Sequence, residues 1–322
     1  MTTESRKIQI TGGSTYIVSL PPTWVKANQI KKGSTVTIES LGDSLTLYPN
    51  ERKKREVVKE LEITGNLSND LLPRTLVSLY ISGFDTLVIK SESYISQEIK
   101  DIVKKFSRLV MGVEIFEESA KALTLQNVLD SESFPLTTAL RRMIMNVNLM
   151  LGDTAKALDS MESELMENII GRDDDVDRYH FYMMKEISIG KYEGKDTIFN
   201  LIFSRILERV ADHTVNICTI LKDSPNFDQK KKSELMQFIM YCYEVFQKAT
   251  TSFLGADLKT LNEIVNVKTN IIANKAQLMK KKYGDVSYSG IVEEISRIGL
   301  YSTDIAEITM DRYVNKNLII KL

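Results

Sequence analysis

From Pro135 to Leu322 the apolar residues recur every third or fourth position, the spacing of helices that each bury one face. Gly194, Asp223-Ser-Pro225, Gly255 and Gly284 break this pattern. The predicted helices run 136–160, 163–190, 195–222, 229–254, 257–282 and 288–312, which makes an all-helical body over 135–322. Two sets of three, about 136–222 and 229–314, point to an internal repeat. Ile295-Ser-Arg-Ile-Gly-Leu-Tyr-Ser-Thr-Asp-Ile305 lies over Leu207 to Ile217 at an offset of 88 residues, with the apolar positions matched throughout.

The third helix carries a second pattern. In Leu207-Glu-Arg-Val-Ala-Asp-His-Thr-Val-Asn-Ile-Cys-Thr-Ile220, a core face of Leu207, Val210, Ala211, Thr214, Ile217 and Cys218 lies beside a line holding Glu208 and Asp212. Carboxylates one turn apart repel by roughly 0.2–0.5 kcal/mol unless a cation offsets them. Two cations are available: the local arginines, Arg205 to Glu208 and Arg209 to Asp212, or a metal shared with acids of another helix. Asp173-Asp-Asp-Val-Asp177-Arg178 offers such acids at the same spacing. A hard cation wants four or more oxygens, which Asp173, Asp177, Glu208 and Asp212 together supply. The corresponding second-set positions, Lys268, Ile272, Ser296 and Leu300, cannot hold an ion, so any site is expected in the first set alone. His213 points away from the acidic line and is read as a surface or hydrogen-bonding residue. His180 shows no partner.

Leu207 to Ile217 resembles the Leu-Glu-Arg-Ile-Gly-Asp-His-Ala-x-Asn-Ile signature of PhoU-family phosphate-uptake regulators, and Asp173 to Arg178 resembles its Asp-Asp-x-Ile-Asp-Arg partner. The resemblance covers roughly 136–318. It implies control of phosphate uptake, a divalent or ferric ion (iron, zinc, magnesium or calcium) on the first set, and a phosphate ABC transporter ATPase or sensor kinase as partner.

Residues 1–50 follow a period near two. Lys7 to Thr11, Thr15 to Leu20, Ser34 to Glu39 and Ser44 to Tyr48 read as short strands, with turns at Gly12-Gly13, Lys32-Gly33 and Gly42-Asp43 and a helical stub at Thr23 to Asn28. So small a unit buries too little apolar surface to stand alone, which predicts a homodimer or higher assembly. Leu20-Pro-Pro-Thr-Trp24 and Lys32-Gly-Ser-Thr-Val36 resemble motifs of the swapped-hairpin SpoVT/AbrB domain, an intertwined dimer. That resemblance implies DNA-backbone contacts from Arg6, Lys7 and Lys26. The first loop, Thr11 to Thr15, lacks the arginine that DNA-binding members often carry there, so a head that only dimerises stands beside one that binds DNA.

Over 51–130, beyond a charged joint at 51–55, strands at 56–63, 86–90, 113–117 and 122–125 alternate with helices at 68–82 and 96–109. Asn69-Asp70 and Ser96 serve as caps, and Gly83 and Gly112 as stops. This is a small α/β layer with two helices on one sheet face, read as a spacer or a ligand sensor.

The expected fold is therefore multidomain: an AbrB-like β head, a small α/β middle and a PhoU-like pair of three-helix bundles. Lys plus Arg (42) and Asp plus Glu (43) nearly cancel, although residues 1–55 hold nine basic against four acidic residues. No apolar run reaches the roughly 18 residues of a membrane span, and the polar start is no signal peptide, so a cytoplasmic protein without membrane insertion is expected. Cys218 and Cys242 are read as reduced packing thiols, and the methionines as flexible core filler. No nucleophile–base set, phosphate loop or zinc signature occurs, so no enzyme activity is expected. Two functions stay open: a dimeric DNA-contacting regulator of phosphate uptake, or an adaptor that docks on a transporter ATPase or sensor and uses the head only to dimerise.

Overall fold

The computed structural model describes residues 3–41, 44–49, 56–64, 71–130, 134–192, 194–224, 227–255, 258–281 and 285–316. The expected turn at 42–43, the charged joint at 51–55, the cap at 69–70, Pro225 and the break at Gly284 lie outside them. The chain divides into two compact units, Met1–Glu56 and Val57–Leu322.

The first unit holds two antiparallel hairpins, β1 (Gln9–Thr11) with β2 (Thr15–Ile17) and β3 (Val36–Leu41) with β4 (Ser44–Pro49), and a helix α1 (Pro22–Ala27) between them. Gly12 and Gly13 both take positive φ, which lets a three-residue loop reverse the chain. None of its described residues is buried. Ile10, Tyr16, Ile38 and Leu45 are each at least 60% exposed, so the strand pattern has apolar faces and no core of its own.

The second unit opens with a four-stranded sheet, β5 (Val58–Ile63), β6 (Thr86–Ser91), β7 (Val113–Glu118) and β8 (Ala122–Asn127), ordered β5-β6-β8-β7. β5 and β6 are parallel, joined through α2 (Leu71–Ile81); α3 (Gln97–Leu109) joins β6 to β7. Alternate residues Leu87, Ile89, Leu123 and Leu125 are buried with Leu76, Tyr80, Val103 and Phe106 of the helices, which makes one covered face. The side chain of Ser96 caps α3 through the Ile99 amide, and Gly83 and Gly112 end the helices with positive φ.

The helices of the body are α4 (Leu136–Ser160), α5 (Ser163–Gly171), α6 (Asp173–Ser188), α7 (Lys195–Asp223), α8 (Gln229–Gly255), α9 (Leu258–Val265), α10 (Val267–Met279) and α11 (Val286–Lys316). The continuous helices expected at 163–190 and 257–282 are each two. Arg172 and Asn266, with φ/ψ of −73°/−14° and −81°/−9°, turn the axis while staying near helical dihedrals. Such a turn needs neither Gly nor Pro, so the apolar period carries no stop there.

Burial repeats between the two sets. Leu140/Leu235, Ile144/Ile239, Leu151/Phe246, Met166/Leu261, Ile169/Ile264 and Val176/Ile271 are buried pairs 95 residues apart, and Leu207/Ile295, Val210/Ile298 and Ile217/Ile305 are buried pairs 88 apart. The shortening falls between the middle and last helices, where α10 is shorter than α6.

One helix ties the middle layer to the body. Phe181 of α6 packs on the α/β core, and a side chain on Gly83 would collide with Ile189 just beyond the end of α6. Lys185 and Glu186 are buried, 3.1 Å apart, with the Lys185 ammonium 5.1 Å from the Tyr80 ring centroid. Tyr80 Oη donates to the Met111 carbonyl at 3.1 Å.

Candidate functional site

α6 and α7 pack side by side. Val176 and Met183 of α6 and Leu207, Val210 and Ala211 of α7 go into the core, and this rotation leaves Asp173, Asp177, Glu208 and Asp212 beside the α6–α7 groove. The structure brings the four predicted acids within electrostatic reach of one another. Burial, then the Asp212 and Glu208 carboxylates, push Asp173 up to about 7. Burial, then Asp173 and Asp212, raise Asp177 to about 7 against the pull of Arg205. Burial, then Asp212, raise Glu208 to about 7 although Arg205 and Arg209 oppose it.

The local pairs also form. Arg205 Nη1 donates to Glu208 Oε1 at 2.9 Å, and Arg209 Nη1 to Asp212 Oδ2 at 3.4 Å. With the α7 acids turned toward their arginines, no three His, Cys, Asp or Glu side chains among the described residues stand in coordinating reach of one point. The arginines do not satisfy the site, however. Asp173 Oδ1 and Glu208 Oε2 are buried with no hydrogen-bond partner among the described residues. Buried acceptors are nearly always paired, and an unpaired one costs about 1–3 kcal/mol. The four carboxylates are of the all-oxygen donor chemistry that a hard cation takes, and two of them keep a buried oxygen without a hydrogen bond, although the side chains do not converge on one point.

The second-set counterparts behave differently. Lys268 pairs with Glu307 at 3.3 Å, Ile272 is exposed, Ser296 is buried, and Leu300 packs on the core. They offer no anionic groove.

Residues 140–221 match the PhoU domain family. The chain carries a PhoU domain. The matched stretch spans both acidic pairs of the first set and stops at Leu221. Residues 9–63 match the family described as antidote-toxin recognition MazE, bacterial antitoxin, and the β-rich N-terminal region is a MazE/AbrB-type domain. Among solved structures, the phosphate transport system regulatory protein PhoU from Streptococcus pneumoniae aligns with a TM-score of 0.50 and 16% identity, over 58% of this chain and 96% of that one. At that identity the likeness is one of fold. No curated protein matches the chain.

Two polar residues of the PhoU signature serve another purpose. His213 Nδ1 lies 2.6 Å from Glu294 Oε2 of α11, Asn216 Nδ2 donates to the same oxygen at 3.1 Å, and the His213 ring stacks on Tyr301. They clamp the first set to the second. His180, for which the sequence shows no partner, is buried with Nδ1 3.1 Å from Ser204 Oγ, and burial followed by Arg205 lowers its pKa to about 4. It stays neutral as a packing contact between α6 and α7. Neither Ser204 nor Glu294 was legible as a partner, because the contacts span 24 and 81 residues.

In the first unit Lys7 and Lys26 are exposed, while Arg6 is ion-paired with Glu4. No helix among the described residues is long and apolar enough to cross a membrane.

Proposed function

We propose that the protein is a cytoplasmic regulator of phosphate uptake whose first three-helix set holds a divalent or ferric ion through Asp173, Asp177, Glu208 and Asp212. The observation that carries this reading is the α6–α7 groove: three carboxyls raised to about 7, and two buried oxygens, Asp173 Oδ1 and Glu208 Oε2, that accept no hydrogen bond among the described residues. A bound ion would neutralise these acids and draw α6 and α7 together, and no catalytic step is assigned to it. The body then offers a surface to a phosphate transporter ATPase or a sensor kinase. The N-terminal domain pairs with another copy through its exposed apolar strands and, in this reading, lays Lys7, Lys26 and Arg6 on the DNA backbone.

The adaptor reading is favoured by one specific pair of observations. Arg6 is already paired with Glu4, and the loop between β1 and β2 carries no cation. A salt titration of DNA binding by the full chain separates the two: a regulator loses affinity steeply with salt, with a slope of about −0.9 per phosphate neutralised. A chain with no measurable DNA affinity at low salt is an adaptor.

A further inference from the structure

We propose that the cleft between α3 and α6 is a binding site for a phosphoryl anion, separate from the acidic groove and formed only because the middle layer packs on the PhoU domain. Asp101, Lys104, Lys105 and Arg108 of α3 are spaced as one helical face, and Asp174 and Arg178 of α6 close the other side of a cleft of about 420 Å³.

Four cations face two carboxylates there. Asp101 already accepts from Gln97 Nε2 at 2.8 Å. Lys104 reaches Glu118 only at 3.9 Å, and Lys100 holds that acid at 2.8 Å. Among the described residues neither Lys105 nor Arg108 has an acidic partner. Arg178 donates to the Arg108 carbonyl across the cleft and stands 3.7 Å from Asp175, and its Nε is buried without a hydrogen-bond partner among the described residues. Cations in the last turn of a helix complement its dipole, which accounts for Arg108 but not for Arg178 reaching across from α6. Crowded like charges and a guanidinium N–H without an acceptor are what a tetrahedral oxyanion satisfies, since arginine binds phosphate through paired N–H groups. The volume admits inorganic phosphate or the terminal phosphates of a nucleotide.

The test is calorimetry on the full chain stripped of divalent ions, titrated separately with inorganic phosphate and with ATP, alongside Lys105→Ala/Arg108→Ala. These two residues are on the surface, so the variant keeps its fold, which circular dichroism verifies. Saturable binding of either probe, weakened roughly tenfold or more in the variant, supports the site, and the probe that binds identifies free phosphate or nucleotide as the source. Equal binding by native and variant chains overturns it, as does the absence of saturable binding by both probes. Phosphate binding that appears only when divalent ions are restored also overturns it, because the anion then sits on an ion and not in this cleft. None of these results bears on metal uptake by the acidic groove.

Discussion

Asp212 of α7 is, after burial itself, the strongest influence raising Asp173 of α6 to about 7. Asp173, Asp177 and Glu208 keep protons in the folded state that the unfolded chain releases near pH 4. Folded pKa values above the unfolded ones mean that this stabilisation is fully present below about pH 4 and is lost as pH rises through about 7. Metal-free protein is therefore expected to melt at a lower temperature at pH 8 than at pH 5.5. Asp173→Asn/Glu208→Gln should flatten that dependence and gain about 1–2 kcal/mol at pH 8, since it relieves repulsion among crowded, partly buried carboxylates by more than the exposed Arg205 pair contributes. A variant less stable than the native chain at pH 8 contradicts this assignment.

Gly299 occupies the position that Ala211 holds in the first set, 88 residues earlier. A methyl on Gly299 would stand 2.7 Å from Cys242 Sγ and 2.9 Å from Ile271 Cδ1. Ile271 stands where the first set has the smaller Val176, so the lost methyl on one helix accommodates the added one on another. Gly299→Ala is expected to cost about 1–3 kcal/mol in urea unfolding, and adding Ile271→Val should restore part of it.

The Lys185–Glu186 pair is buried where α6 meets the middle layer. Lys185→Met leaves Glu186 with Lys191, 3.5 Å away and half-exposed. Removing one partner of a buried pair costs about 3–5 kcal/mol, and thermal unfolding should show a loss of that size. A neutral change would mean that water reaches the pair.

The head has no buried residue among those described, and its apolar strands are exposed. Light scattering should report a smaller assembly for a chain lacking residues 1–56 than for the full chain. Equal subunit numbers would place the dimer contact elsewhere.

The helical body was legible because one buried face per helix imposes a period that loops do not, and α4, α7 and α8 begin and end within one residue of the predicted limits. The turns at Arg172 and Asn266 were not, since a helix can change direction there without a residue that forbids helical dihedrals. Glu208 and Asp212 were legible as a line beside the core face, and their arginine partners follow from a spacing of three. What sequence could not supply was burial by distant segments. Nothing in the sequence singles out Lys185 and Glu186, which are buried where Tyr80 and the middle layer meet α6, and the basic cleft exists only because α3 comes to lie against α6.

The acidic groove is tested most directly by metal stoichiometry after loading and desalting, in the native chain and in Glu208→Gln/Asp212→Asn, with elemental analysis of both. The expected result is an ion retained by the native protein and lost from the variant, while Ser296→Ala in the second set leaves it in place. Retention unchanged in the double variant, or a native chain that keeps no ion, would contradict the assignment of Asp173, Asp177, Glu208 and Asp212 as its ligands.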